Sequence, residues 1–145
     1  EFWAESGVFT SPGYSSGAYP IGTTCEWILT SSPGNRVAIN FDDFNLQEPS
    51  ASGTCYDYVE LRENSSSGTL INKFCGSSLP AEVATYSSHI IYVKFYSNAA
   101  TVGRGFSASW SHSYGGSLVG SGSGEIASPL YPHSYPVNLD VTWTT

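Results

Sequence analysis

The residue types that most often support catalysis occur in this sequence without the spacing that catalysis needs. The three histidines, His89, His112 and His133, are scattered along the chain, and none has an obvious nucleophile partner by motif. Asp42 and Asp43 are a conceivable acid–base pair, but adjacent residues of a strand point to opposite faces. The sequence therefore predicts a protein that is not an enzyme.

The three cysteines indicate disulfide chemistry instead. Cys55 and Cys75 flank a turn-rich segment that could bring them together, and a disulfide closing a loop of this length contributes about 3 kcal/mol in the chain-entropy model. A metal site is the alternative, although no two cysteines have the spacing of metal ligands. Cys25 is left over, and an odd number of cysteines needs an explanation in a secreted domain.

Short strands must position these residues. Val37, Ile39 and Phe41 alternate with polar residues, the pattern of a strand with one buried face. The same period of two recurs in residues 59–61, 91–95 and 106–110. No segment has a sustained helical pattern, although residues 79–85 could form one helical turn.

Turn-forming sequences separate the strands at short intervals. Pro, Gly, Asn and Ser cluster at residues 32–35, 48–50, 64–68 and 98–105. Charged residues make up 12% of the chain and aromatic residues 14%, which suits strands joined by turns better than long surface helices. The sequence therefore predicts an all-β protein, either a sandwich or a barrel.

The charge balance and hydropathy argue against two kinds of partner. Twelve acidic residues against five Lys and Arg give a formal net charge of −7, which repels a nucleic-acid backbone. No apolar run approaches the roughly 20 residues that span a bilayer, and no leader peptide opens the chain. We expect no nucleic-acid binding, no membrane span in this segment, and a targeting signal outside it.

The chain repeats part of itself. Residues 11–20, SPGYSSGAYP, are matched by residues 128–136, SPLYPHSYP, at an offset of 117 residues with a gap of one. A period this long is typical of whole domains in tandem. We therefore expect one domain at residues 1–112, lacking its extreme N-terminus, and the beginning of a second copy at residues 113–145.

The junction between the copies allows two interpretations. Residues 109–125 are rich in Ser and Gly, which is typical of a flexible linker. Alternatively, Gly115 and Gly116 already belong to the second copy, which leaves residues 111–114 as a short and fairly stiff junction.

Four motifs in order, SGVFTSPGY…YP…CEW, FDDFNLQ…CYDYVEL, KFCGSSLP and GRGFSASW, resemble the CUB domain over residues 7–110. A second CUB domain would begin at about Gly115. The resemblance implies a two-sheet antiparallel β-sandwich in an extracellular or cell-surface protein. It also implies two disulfides, of which Cys55–Cys75 would be the second.

The expected partner of Cys25 follows from the same resemblance. In CUB domains the first cysteine usually precedes a Gly-Gly pair and bonds to the position of Cys25. In the repeat, Tyr114 precedes Gly115-Gly116 and Val141 occupies the position of Cys25, so both members are absent together. In the first copy the partner would fall before Glu1, and we expect Cys25 to pair outside this segment. A free buried thiol is the alternative.

Many CUB domains bind calcium through a Glu, two Asp residues and a nearby Tyr. The resemblance places these positions at Gln47, Asp57, Asn98 and Tyr19, so two of three carboxylates are replaced by neutral amides. Because charge count tunes calcium affinity, we expect no calcium and no other cofactor. Glu48 is the exception, since a register shift could bring it to the position of Gln47. Without calcium, Asp57 is expected to accept hydrogen bonds from the adjacent loop.

Asn64-Ser65-Ser66 is an N-glycosylation sequon in a predicted turn, and we expect Asn64 to carry a glycan.

The resemblance implies a non-catalytic module of a tandem-CUB glycoprotein, which binds a protein or glycan through its loops and tyrosines and adjoins other CUB domains. One alternative is an accessory module of an extracellular protease. The other is a self-assembling structural glycoprotein.

Overall fold

The computed structural model describes residues 6–113, 116–117 and 142–144. Eight strands form the main body: β1 Ser6–Thr10, β2 Thr24–Thr30, β3 Arg36–Asn45, β4 Tyr58–Glu63, β5 Leu70–Phe74, β6 Val83–Ala84, β7 Ile90–Tyr96 and β8 Gly105–Ser113. A short 3₁₀ turn covers Tyr14–Ser16. The strands pair in the orders β1-β8-β3-β6 and β2-β7-β4-β5, and every pair in these two sheets is antiparallel. The predicted two-sheet antiparallel sandwich is confirmed.

The alternating residues form the core between the two sheets. Val37, Ile39 and Phe41 are buried, as the period of two predicts. The other sheet contributes Val59 and Leu61 from β4 and Ile91, Val93 and Phe95 from β7. Burying each such side chain contributes about 1.5–3 kcal/mol, which makes this core the main stabilising term.

A β-bulge interrupts β3 where the sequence reads FDDF. Phe41 and Phe44 are both buried although they are three residues apart, and their rings meet edge to face at 5.4 Å. The register with β8 shifts between Phe41 and Asp43. One extra residue allows both rings to reach the core. Consequently Asp42 is exposed and Asp43 is directed to a different set of neighbours.

The helical turn suggested for residues 79–85 is wrong. Val83 and Ala84 instead form β6 at the edge of β3. Thr85 then exchanges two hydrogen bonds with the backbone of Val37, through its own N–H (2.9 Å) and through its Oγ1 (3.0 Å). The free edge of β3 and the burial of Val83 favour an extended strand over a local turn.

A third, two-stranded parallel sheet pairs β9 (Gly116–Ser117) with β10 (Trp143–Thr144). The rest of the predicted second copy, including Tyr114, His133 and Val141, lies outside the described residues. The second-domain prediction therefore stays a prediction. Within the part of the chain that the structure describes, no helix has the length and hydropathy of a membrane span.

Candidate functional site: a loop cluster around Asp57

Three loops meet at one end of the sandwich, because β2 and β4 both begin where β7 ends. We call residues 18–23, 46–57 and 97–104 the loop cluster. Asp57 lies at its centre and is fully buried. Its Oδ2 accepts a hydrogen bond from the Tyr19 hydroxyl (2.7 Å), and its Oδ1 accepts one from the Asn98 backbone N–H (2.8 Å). One carboxylate therefore joins all three loops.

Tyr19 connects this carboxylate to the core. Its ring is 1% exposed and meets Phe95 edge to face at 5.2 Å. Its hydroxyl donates to Asp57 and accepts from the backbone N–H of Gln47 (3.1 Å). Burial, followed by the hydrogen bond to Asp57, raises the pKa of Tyr19 to about 12. Tyr19 is consequently a neutral hydrogen-bond donor at physiological pH.

The structure brings together Tyr19, Gln47, Asp57 and Asn98, the four positions that the family resemblance assigns to calcium. Both oxygens of Asp57 already accept hydrogen bonds, and the Asn98 Oδ1 accepts from the Ala100 N–H at 3.0 Å. The Gln47 Oε1 is buried and has no hydrogen-bond partner among the described residues. It supplies an oxygen without charge, so this donor set does not fit a tightly bound dication.

Glu48 does not restore the missing charge. Its carboxylate accepts a hydrogen bond from the Ser77 hydroxyl, in the turn that follows Cys75. The backbone N–H of Gln47, not that of Glu48, faces Tyr19. Among the residues that the structure describes, no group of three or more His, Cys, Asp or Glu side chains could hold a metal ion.

The predicted Cys55–Cys75 disulfide is present, with a Cα–Cα distance of 5.7 Å. It ties the β3–β4 loop to the end of β5, two residues before Asp57. Cys25 is half-buried in β2 opposite Phe95 and packs against the core, without a disulfide to any described residue. Its expected pairing outside this segment stays a prediction.

A second anchor of the loop cluster was not predicted from the sequence. The Arg104 guanidinium donates two hydrogen bonds to the Asp43 carboxylate, one of them from Nε at 2.6 Å, and Tyr14 donates a third at 2.8 Å. Hydrogen bonds from the Arg104 guanidinium and, to a smaller extent, from the Tyr14 hydroxyl lower the pKa of Asp43 to about 2. The Arg104 backbone N–H also donates to the Asn45 Oδ1 at 3.0 Å. No local sequence pattern signals this pairing.

Each of the three loops exposes one large apolar side chain. Ile21 is 53% exposed, Tyr56 42% and Val102 38%. Gly22, next to Ile21, donates its N–H to the carbonyl of Asn98 at 2.7 Å, so the first and third loops are directly joined. The loop cluster thus exposes three apolar side chains, and its loops are held together by hydrogen bonds.

Two antiparallel sheets with a disulfide beside one end define the chain as a disulfide-linked β-sandwich domain. The model of the family described as the CUB domain matches residues 1–110, and the chain belongs to that family. The resemblance drawn from the sequence is confirmed.

The relatives agree with this assignment. Human cubilin is 35% identical over 143 residues, which cover 99% of this chain and 4% of cubilin. The extracellular region of zebrafish Gpr126/Adgrg6 superposes with a TM-score of 0.64 at 29% identity, covering 76% of this chain and 14% of that one. A crystal structure of the MASP-1 CUB2 domain bound to Ca²⁺ gives a TM-score of 0.65 at 28% identity, covering 76% and 95%.

Proposed function

We propose that this chain is a non-catalytic extracellular binding module and that it binds a protein ligand through the loop cluster without calcium. An extracellular setting is supported by the disulfide and by the likeness to the extracellular region of Gpr126/Adgrg6. The chain spans 4% of the length of human cubilin.

The environment of Asp57 carries the proposal. In this chain neutral donors, the Tyr19 hydroxyl and the Asn98 N–H, occupy both carboxylate oxygens. The loops are therefore held by hydrogen bonds within the protein, and they expose the apolar side chains of Ile21, Tyr56 and Val102. Apolar and aromatic groups with a polar surround are typical of the centre of a protein–protein interface.

We also propose that the chain belongs to a protein with CUB domains in tandem. The similarity to cubilin continues over 143 residues, well beyond residue 110 where the family model ends. This continuation supports a second CUB domain beginning at residues 113–145. Cys25 would then bond to a cysteine on a preceding part of the same protein.

Binding to cell-surface proteins tests the function. The fluorescently labelled 145-residue chain, produced in a secretory host, is applied to cultured mammalian cells and measured by flow cytometry in calcium and in chelator. Brief trypsin treatment of the cells distinguishes protein from glycan or lipid ligands. A loop variant, Ile21→Ser with Val102→Ser, is compared with a control, Val8→Ser with Ile28→Ser, whose side chains are at least as exposed but lie on edge strands.

We expect trypsin-sensitive binding that is equal in both buffers, about tenfold weaker for the loop variant and unchanged for the control variant. Loss of binding in chelator would contradict calcium independence. Equal effects of the two variants, or trypsin-resistant binding, would contradict protein recognition by the loop cluster. Light scattering of the chain alone checks for self-association, which would favour a structural role instead.

A further inference from the structure

The turn between β4 and β5 lies at the end of the sandwich opposite the loop cluster, since β4 begins at the loop cluster and ends at Glu63. Asn64 follows directly and has φ 66°, the one positive φ of a non-glycine residue in the described part of the chain. Asparagine tolerates this left-handed conformation better than most residues. Its backbone N–H donates to the Ile90 carbonyl at 2.9 Å, and Gly68 N–H donates to Ser65 at 2.9 Å. The turn is therefore ordered by one hydrogen bond within it and one to β7.

The sequon residues of this turn are available to solvent. Asn64 and Ser66 are both exposed. Within the described residues, no hydrogen bond engages the Asn64 side-chain amide or the Ser66 hydroxyl, whereas the neighbouring Ser65 and Ser67 hydroxyls contact each other at 3.3 Å. A glycan on Asn64 would therefore displace no protein contact.

A tyrosine lies on the loop that is joined to this turn. The carboxylate of Glu63, the residue before Asn64, accepts hydrogen bonds from the backbone N–H groups of Tyr86 and Ser88, the latter at 3.1 Å. These bonds hold the β6–β7 loop beside the turn. The Tyr86 side chain is nevertheless 65% exposed. A large exposed aromatic ring on a loop bonded to the residue before the sequon offers an apolar face to the first sugar.

We propose that Asn64 carries an N-linked glycan whose first N-acetylglucosamine packs on the ring of Tyr86. The amide Nδ2 of Asn64 bonds to C1 of the sugar, which is supplied by a polyprenyl-diphosphate oligosaccharide. The bond between C1 and the phosphate oxygen breaks, the diphosphate leaves with the electron pair, and Nδ2 loses one proton. Nothing is oxidised or reduced in this transfer.

The position of the glycan bears on how the module is used. Because the β4–β5 turn and the loop cluster lie at opposite ends of β4, the sugar would leave the loop tips uncovered and shield the other end. This modification does not depend on the binding proposed above, and the two proposals fail in separate experiments.

Intact mass of the 145-residue chain from a mammalian secretory host, before and after peptide N-glycosidase, tests the modification. Ser66→Ala is the matched control because it removes the sequon and leaves Asn64 and Tyr86 in place. The packing of the sugar on Tyr86 is tested by melting temperature. This is measured for the parent chain, Tyr86→Ala, Ser66→Ala and the double variant. The acetyl methyl NMR signal of the first sugar, trimmed by endoglycosidase, provides a second measurement.

We expect glycosidase-sensitive mass on the parent chain and none on Ser66→Ala. Tyr86→Ala should lower the melting temperature by about 4 °C in the glycosylated background and by less than about 1 °C in the Ser66→Ala background. The ring of Tyr86 should shift the methyl signal upfield, and Tyr86→Ala should return the signal to its usual chemical shift. An unmodified parent chain would overturn the glycan, and equal temperature shifts with an unshifted methyl signal would overturn the packing.

Discussion

Replacing Asp57 by alanine should destabilise the domain strongly, because this carboxylate is fully buried and joins three loops. Two hydrogen bonds to a charged acceptor are lost, at 2.7 and 2.8 Å, each contributing about 1.5–3 kcal/mol. The Tyr19 hydroxyl is left without an acceptor inside the core, whereas the half-buried Asn98 N–H can recruit water. We therefore expect the free energy of unfolding to fall by about 3 kcal/mol, near the lower end of the sum.

Denaturant unfolding of the parent chain and the variant, followed by tryptophan fluorescence and far-UV circular dichroism, measures this change. A fall of about 3 kcal/mol corresponds to roughly 12 °C or more in melting temperature for a domain of this size. Asp42→Ala is the matched control, since Asp42 is exposed on the bulge of β3, and it should change stability by less than about 0.5 kcal/mol. If Asp57→Ala lost less than about 1 kcal/mol, the carboxylate would not be the link that holds the loops.

Three further predictions concern the same end of the molecule. Tyr19→Phe should cost about 2 kcal/mol at neutral pH. Because the folded pKa of Tyr19 is raised from 10.0 to about 12, its contribution is complete below pH 10 and is lost as the pH rises through 12, so alkaline unfolding should be steeper in the parent chain than in the variant. Asp43 has a folded pKa near 2 beside Arg104, so its ionised form stabilises the fold above about pH 4, and this stabilisation is lost as the pH falls through 2. Asp43→Asn should therefore flatten this part of a curve of unfolding free energy against pH. The parent chain should melt equally in calcium and in chelator, whereas Gln47→Glu with Asn98→Asp should gain a calcium-dependent rise in melting temperature, measured by scanning calorimetry. A parent chain destabilised by chelator would contradict the inference that the neutral amides of Gln47 and Asn98 prevent calcium binding.

The candidate site could be predicted only where a family pattern or a covalent link marked it. The pattern placed Tyr19, Asp57 and Asn98 together, and the structure brings them within hydrogen-bond distance. It said nothing of Asp43 and Arg104, which are 61 residues apart and meet because a bulge in β3 redirects the carboxylate. No local pattern encodes such a pair, since each residue alone is typical of solvent-exposed surface.

Local periodicity was sufficient to predict the buried faces of the long strands, because a strand buries every second side chain whatever its neighbours are. It failed for β6, where two residues become a strand only because β3 offers them a free edge. The sequence alone therefore determined the fold class, the alternating core and the disulfide, which depend on local pattern and covalent chemistry. The tertiary structure decided which groups donate to the Asp57 carboxylate, that Glu48 accepts from Ser77, and which loop Glu63 holds next to the Asn64 turn. These contacts join residues that are far apart in the sequence, so they exist only once the sheets have packed.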